Sequence, residues 1–181
     1  GLPFEWEWKP FQNLIDFKEG PGLRNWQYRK SGIPFLNIRV IKDGDVDMTK
    51  IQYLDIDEVK EKYEHFLLKE NDHVISSSGT LGRLTTIRSC HLPLCLNTSI
   101  IRMRKKSDSF GTWLIKHMLQ GQVFQNIMET YANGAAQVNF GPTHLKQIKL
   151  PCPSKNLAIK YEYIMDPIEE KIKILRDQNH L

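Results

Sequence analysis

Apolar residues recur every three or four positions near the C-terminus, with charged residues between them. This spacing places the apolar side chains on one face of a helix, and it predicts an amphipathic C-terminal helix over residues 153–181. Pro167 is expected to kink this helix or to mark a new first turn. The apolar face needs a partner, either the domain itself or another chain. Its residues are Leu157, Tyr161, Ile164, Ile168, Ile172 and Leu175.

A second helical pattern follows residue 106, with apolar positions separated by three, four or seven residues. This is the spacing of one buried helical face, so the segment is interpreted as a core helix. Ser107 or Asp108 is expected to cap it. The positions on the buried face are Phe110, Leu114, Met118, Gly121, Phe124, Met128 and Tyr131.

Short runs of β-branched and apolar residues, bounded by turn formers, predict strands elsewhere in the chain. An amphipathic opening element is expected over residues 3–20 and a short helix over residues 57–65. The extended segment at 150–153 contains two prolines and marks a boundary between a domain of residues 1–152 and the helix that follows. The predicted strands cover residues 33–41, 51–54, 72–76, 83–88 and 94–103.

Composition fits one folded domain, with 181 residues of which 40% are hydrophobic and 25% charged. No stretch of the sequence is long and apolar enough to span a bilayer, and the chain opens without a signal segment, so a cytoplasmic location without membrane contact is expected. The three cysteines are an odd number, which favours a reducing compartment and buried free thiols over a disulfide scaffold or a metal site.

Charge is distributed unevenly along the chain. Residues 1–75 hold 11 basic and 14 acidic residues, whereas residues 76–150 hold 9 basic residues and only two acids, Asp108 and Glu129. A basic region of this kind attracts polyanions such as nucleic acid. A solvated basic face without a ligand is the alternative at this point.

Sequence motifs of common catalytic sites are missing. The chain has no phosphate-binding loop, no dinucleotide-binding glycine pattern and no nucleophile elbow. Asp57, Glu58 and Lys60 could imitate the carboxylates and lysine of a metal-dependent nuclease, but Glu58 and Lys60 would point apart in a helix. The sequence therefore favours a non-catalytic binding module, with a small nuclease or a protein-interaction module as alternatives.

Residues able to contact nucleic acid lie in predicted loops and in the predicted strands 83–88 and 94–103. Base edges are read by Arg, Lys, Asn, Gln and Ser, while phosphate contacts set the register. For each group an ordinary structural role, such as a solvated turn or a bond to local backbone, is the competing interpretation. The candidates are Arg24, Asn25, Tyr28, Arg29, Lys30, Ser77, Ser78, Thr80, Arg83, Arg88, Arg102, Arg104, Lys105, Lys106, Asn133, Gln137 and Asn139.

Four segments, taken in order, resemble the target recognition domains of Type I restriction–modification specificity (S) subunits. They are residues 2–20, beginning Leu-Pro-Phe-Glu-Trp; residues 32–39, Gly-Ile-Pro-Phe-Leu-Asn-Ile-Arg; residues 72–82, Asp-His-Val-Ile-Ser-Ser-Ser-Gly-Thr-Leu-Gly; and residues 134–153, which contain Gly-Ala-Ala-Gln-Val-Asn-Phe and end on Leu-Pro-Cys-Pro. Each motif alone is weak, because its residues are turn formers and strand apolars. The resemblance is carried by their order over nearly the whole chain.

The resemblance implies an α/β fold (mixed α+β) with one recognition domain, a twisted mixed sheet and a C-terminal coiled-coil helix. It implies a non-catalytic subunit that recognises one half of a split double-stranded DNA target. It also implies methyltransferase (M) and restriction (R) subunits as partners, with S-adenosylmethionine bound by the M subunit. A full specificity subunit has two such domains, so this chain is interpreted as a fragment or as a half-sized subunit that associates with itself through its C-terminal helix.

Overall fold

The computed structural model describes residues 1–42, 44–79, 81–106, 110–133 and 140–178, with the backbone alone at Ala132 and Asn133. Strands and helices form a mixed α+β fold, as the resemblance implied. The strands are β1 (Trp6–Pro10), β2 (Ile15–Glu19), β3 (Tyr28–Arg29), β4 (Ile33–Phe35), β5 (Ile41–Lys42), β6 (Asp45–Val46), β7 (Gln52–Leu54), β8 (His73–Ser76), β9 (Leu84–Thr86), β10 (Ile100–Lys105) and β11 (Lys149–Pro153). The helices are α1 (Phe11–Leu14), α2 (Ile56–Glu58), α3 (Thr112–Gln120), α4 (Gln122–Asn133), α5 (Pro142–Leu145) and α6 (Lys155–Gln178).

The strands form four small sheets. The largest has the order β2-β10-β8-β9, and a three-stranded sheet has the order β3-β7-β4. Two further pairs are β1 with β11 and β5 with β6, and every pairing between these named strands is antiparallel. The single mixed sheet that the resemblance implied is thus replaced, among the described residues, by several antiparallel sheets. A parallel contact occurs in the isolated bridge between Phe35 and Cys95. The β1–β11 pair joins the start of the chain to the segment that leads into α6, since Trp6 lies opposite Pro153.

Two predicted strands are shorter in the structure than the hydrophobic pattern suggested. Residues 33–41 form β4 and the start of β5, separated by a turn in which the Asn37 side chain accepts a hydrogen bond from the Arg39 amide, 2.9 Å away. Residues 94–103 contribute a regular strand only from Ile100 onward. Before it, the Cys95 amide bonds the Pro34 carbonyl at 2.9 Å, so this extended stretch bridges to the smaller sheet. Apolar composition predicts burial, but it does not show where the pairing partner changes.

The predicted opening element and short helix are also more divided than expected. Residues 3–20 contain β1, α1 and β2 instead of one amphipathic element. The predicted helix at 57–65 exists as α2, a π-helical stretch over Val59–Tyr63 and a final turn over Glu64–Phe66. Asp55 caps its start, because its carboxylate accepts from the amides of Asp57 and Glu58.

The single core helix predicted after residue 106 is divided in two. Gly121 has an extended backbone (φ −68°, ψ 150°) and separates α3 from α4. The predicted caps Ser107 and Asp108 lie outside the described residues, and Gly111 occupies the N-cap position of α3. The Glu162 carboxylate of α6 accepts from the Trp113 and Leu114 amides at 3.2 and 2.7 Å. Capping by a carboxylate 48 residues away from Leu114 could not be predicted from local sequence.

Most of the apolar core lies between the four-stranded sheet and the helices α3 and α4. This cluster includes the fully buried Phe11, Ile75, Ile101, Ile115 and Phe124. Two smaller clusters fill the space beneath the other sheets. Of the three cysteines, Cys95 and Cys152 are buried as predicted, whereas Cys90 is exposed because it lies in a surface turn.

The predicted C-terminal helix is α6, which starts at Lys155. It is continuous through Pro167, so this proline does not begin a new helix. None of the helices in the described ranges has the length and apolarity needed to cross a membrane.

Candidate nucleic-acid interface

A turn between Leu23 and β3 presents most of the first group of predicted contact residues. One 3-10 turn over Asn25–Gln27 reverses the chain, and β3 follows at once. Arg24, Asn25, Arg29 and Lys30 are all exposed there. We call residues 24–30 the basic loop.

The Gln27 side chain anchors the basic loop to the domain through hydrogen bonds. This side chain is buried, and its Nε2 group donates to Glu58 Oε1 at 2.8 Å and to the Tyr63 hydroxyl at 3.0 Å. Its Oε1 atom accepts from the Arg24 amide at 2.8 Å. All three contacts use one amide side chain, so the loop is anchored to α2 and the helical stretch that follows it.

The outer side of the loop is also ordered. Arg29 Nη1 donates to the carbonyl oxygens of Trp26 and Tyr28, at 2.9 and 3.2 Å. The Tyr28 ring packs on Phe35 with 4.8 Å between ring centroids. Tyr28 is therefore half-buried and partly structural, which distinguishes it from its exposed neighbours.

The segment of sequence that contains the basic loop carries only basic charges. Between Glu19 and Asp43 the sequence has no acidic residue, and its basic residues are Arg24, Arg29, Lys30, Arg39 and Lys42. Glu58, which Gln27 contacts, also lies 3.9 Å from the Lys62 ammonium group. The loop can therefore contact phosphates with several cations while its backbone stays fixed.

Three of the predicted arginines are engaged in ion pairs within the chain. Arg88 is buried and bonds Asp45 at 2.6 Å and also Asp177 of α6. Arg102 is buried and pairs with Asp16.

Arg104 forms a bidentate pair with the buried Asp72, at 2.6 and 2.7 Å. This pairing raises the pKa of Arg104. As in the other two pairs, the guanidinium group is neutralised by a carboxylate that is distant in the sequence. All three arginines therefore stabilise the fold in this arrangement.

The other basic candidates occupy mixed environments. Arg83 is half-buried, and its Nη1 atom lies 3.4 Å from the Ile41 carbonyl. Lys106 is exposed and donates to the Gln12 carbonyl at 2.9 Å. Lys105 is exposed at the end of β10.

The glycine-rich segment after β8 passes close to α4. Gly79 and Gly82 have positive φ angles of 66° and 84°, as expected of glycines required for backbone shape. The buried Ser77 hydroxyl has no hydrogen-bond partner among the described residues, while the Ser77 carbonyl accepts from the Phe140 amide at 2.9 Å. Ser78 is half-buried in the same segment.

The side chains of four further candidates lie outside the part of the chain that the structure describes. Thr80, Gln137 and Asn139 lie outside the described residues. Asn133 ends α4, and its side chain is likewise not described.

The side of α6 that faces the domain is polar. Asp166 accepts from the Trp113 indole at 2.8 Å, and Glu169 is buried against Lys116 and His117 at 2.5 and 2.8 Å. These contacts, together with Glu162, fix α6 on α3. The predicted partner face points elsewhere: Ile164, Ile168, Ile172 and Leu175 are all exposed, and Leu157 and Tyr161 are half-buried.

The Asp57, Glu58 and Lys60 group lacks the arrangement of a metal site. The Asp57 and Glu58 amides bond the Asp55 carboxylate, and the Glu58 carboxylate accepts from Gln27. Among the residues described, no cluster of three His, Cys, Asp or Glu side chains could hold a metal ion.

Comparison with known proteins decides the family. The family model described as "Type I restriction modification DNA specificity domain" matches residues 3–180. The chain belongs to this family. The resemblance identified in the sequence is thereby confirmed.

Specificity subunits are among the similar proteins. A putative type I restriction enzyme MjaX specificity subunit from Methanocaldococcus jannaschii is 23% identical over 190 residues, which cover 99% of this chain and 41% of that protein. The crystal structure of the HsdS subunit from Thermoanaerobacter tengcongensis matches with a TM-score of 0.64 and 16% identity, covering 98% of this chain and 41% of that one. A structure described in terms of complex assembly and conformational transition of the type I R-M system matches with a TM-score of 0.67 and 16% identity, covering 99% of this chain and 42% of that one.

The chain therefore spans about two fifths of the length of the relatives it matches. At these identities the structural matches establish the fold. They agree with the mixed α/β architecture and its long C-terminal helix.

One residue of the basic loop was missed by sequence reasoning. Trp26 is 74% exposed at the centre of the turn, between Asn25 and the buried Gln27. The sequence signal that points to this part of the loop is the stretch between Glu19 and Asp43, which has no acidic residue. The net charge taken over residues 1–75 concealed this stretch.

Proposed function

We propose that this chain reads one half of a split double-stranded DNA target as the recognition domain of a Type I restriction–modification specificity subunit. The observation that carries the proposal is the basic loop, which is exposed, surrounded by an acid-free stretch of sequence, and fixed by the buried Gln27. Phosphate contacts would come from Arg24 and Lys30, and base-edge contacts from Asn25 and Arg29. Membership of the DNA specificity domain family supports this assignment.

We propose different roles for two parts of the chain. Residues 1–152 form the recognition domain, and the helix that follows, α6, serves as the connection to the rest of the assembly. Its contacts to the domain are made by polar side chains such as Glu162, Asp166 and Glu169, which leaves the apolar side available.

We propose that the apolar side of α6 packs on the corresponding helix of a second recognition unit. Ile164, Ile168 and Leu175 are 60%, 45% and 50% exposed, at a spacing suited to helix–helix packing. The relatives are more than twice as long as this chain, which leaves room in them for a second unit. A second copy of this chain would supply it in a half-sized subunit.

The proposed role is non-catalytic. Methylation and cleavage would be carried out by the M and R subunits, and S-adenosylmethionine would bind to the M subunit. A system of this kind acts on DNA in the cytoplasm, which is the location we propose. The nuclease alternative is not favoured, because the Glu58 carboxylate that it requires accepts a hydrogen bond from the buried Gln27 side chain.

The decisive experiment is a selection of random duplex DNA on the full-length protein assembled with its M subunit, followed by sequencing. Enrichment of a motif of about 3–5 base pairs attributable to this domain would support the proposal. A well-formed complex that enriches no sequence would contradict it and would favour an interaction module. Magnesium-dependent cutting that is lost in Glu58→Ala would instead establish the nuclease alternative.

A further inference from the structure

Trp26 is an apolar side chain of unusual exposure in an otherwise polar, basic loop. It is 74% exposed, whereas Trp113 is 7% exposed in the core. Large aromatic side chains exposed on fixed loops are frequent at binding sites, where they supply contact area at low entropic cost. The exposure of Trp26 on a fixed loop therefore requires a functional explanation. A single exposed aliphatic residue elsewhere on the surface would not.

Hydrogen bonds hold the backbone that carries Trp26, and on its N-terminal side the Arg24 amide donates to Gln27 at 2.8 Å. The next residue, Gln27, is anchored by its contacts to Glu58 and Tyr63, at 2.8 and 3.0 Å. The Trp26 carbonyl itself accepts from Arg29 at 2.9 Å. The ring is consequently presented at a defined position, and little backbone freedom remains to be lost on binding.

The cations of the loop itself favour DNA as the partner of this ring. Arg24 and Arg29 flank Trp26 at two and three residues' distance, and Lys30 follows. No salt bridge to Arg24, Arg29 or Lys30 occurs among the described residues. An aromatic side chain between cations matches a duplex, whose phosphates flank a major groove in which thymine methyl groups offer apolar contacts.

We propose that Trp26 is a specificity-determining residue whose indole ring packs against base edges at one position of the target, while Arg24 and Lys30 contact phosphates on either side. This inference rests on the proposed DNA-reading function. It assigns to Trp26 an apolar contact that depends on sequence, and to the two cations contacts that do not.

The test compares Trp26→Ala and Trp26→Phe with the matched control Trp8→Ala in the full-length protein assembled with its M subunit. Trp8 is also exposed, at 51%, but it lies on β1 and outside the basic loop. Binding is measured on the selected target, on the same target changed at each position in turn, and on unrelated duplex DNA, at several salt concentrations.

We expect Trp26→Ala to bind the selected target about tenfold more weakly or worse, with less than about a twofold effect on unrelated DNA. The preference at one base pair should be lost, and the salt dependence of binding should stay unchanged. Trp26→Phe should keep part of the preference, and Trp8→Ala should behave as the unmodified protein. DNA should also change the tryptophan fluorescence of the unmodified protein and much less that of Trp26→Phe.

The proposed function and the assignment of Trp26 are contradicted by different outcomes. If the unmodified complex shows no sequence preference, the proposed function fails, and Trp26 loses its assignment with it. If the complex is selective and Trp26→Ala is equally selective, the assignment of Trp26 is overturned and the proposed function stands. If Trp26→Ala loses binding of the M subunit while the isolated chain keeps its DNA affinity, Trp26 belongs to a protein interface and the inference is also overturned.

Discussion

The chain contains two basic regions that differ in the folded protein. In one, several arginines are paired with carboxylates, and in the other the cations are exposed. Residues 76–150 carry nine basic residues and two acidic ones, yet Arg88, Arg102 and Arg104 are paired with carboxylates from distant parts of the chain. The basic loop lies in a segment of net negative charge, yet its cations are exposed. Charge counted along a sequence therefore differs from charge on the surface, because folding brings acids from other segments to the buried arginines.

The largest expected effect is the loss of stability in Arg88→Ala. Removing this guanidinium leaves Asp45 and Asp177 facing each other's charge in a partly buried site, so the free energy of unfolding should fall by about 3 kcal/mol or more. Denaturant unfolding measures this change, and Arg24→Ala is the matched control, with less than about 0.5 kcal/mol expected. Equal free energies of unfolding for the two variants would show that the Arg88 ion pairs do not stabilise the fold.

An effect of similar origin concerns His73, which is buried and uncharged at the start of β8. Its Nε2 atom donates to the Thr112 carbonyl at 2.9 Å, and Nδ1 accepts from the Thr86 hydroxyl at 3.0 Å. Burial lowers the pKa of His73 from 6.5 to about 4. Between these pH values the unfolded chain binds a proton at this residue that the folded chain excludes.

Stability should therefore be complete above about pH 6.5 and fall by about 3 kcal/mol in total as the pH decreases to 4. Unfolding measured across this range in the unmodified protein and in His73→Gln checks the assignment, because the variant lacks this titration. An identical pH dependence in both proteins would mean that His73 is charged in the fold or titrates normally.

The sequence predicted features that depend on local pattern and missed those that depend on distant partners. The amphipathic pattern of α6 was recognised, since Ile164 and Ile168 follow the helical period. The break at Gly121 was missed because its neighbours continue the same apolar spacing. In the candidate site, the basic residues of the loop were named from composition, whereas the anchoring of Gln27 on Glu58 crosses 31 residues and has no local signature.

A smaller effect is expected for Arg24→Ala, which tests the exposed region directly. Loss of one phosphate contact should weaken binding to all duplexes alike, by several-fold at physiological salt, and lower the slope of log affinity against log salt by about one. Arg24→Lys should keep the slope because it keeps the charge. Binding isotherms at four or more salt concentrations give the slope for each variant.

Arg104→Ala is the corresponding control from the paired region. Because Asp72 already neutralises this guanidinium, its removal should leave the salt slope unchanged while it destabilises the fold. A slope that falls for Arg104→Ala and stays constant for Arg24→Ala would reverse the comparison between the two regions.

The smallest effect is expected for Lys106→Gln, which separates exposure from function. Lys106 is exposed like Arg24, but it belongs to the other basic region and donates to the Gln12 carbonyl at 2.9 Å. Glutamine can donate to a carbonyl but carries no charge, so we expect a change in unfolding free energy below about 0.5 kcal/mol and an unchanged salt slope. A slope reduced by about one would place Lys106 on the DNA and extend the interface beyond the basic loop. Exposure alone would then be sufficient for a DNA contact. The fixed backbone that Gln27 gives the basic loop would not be required for one.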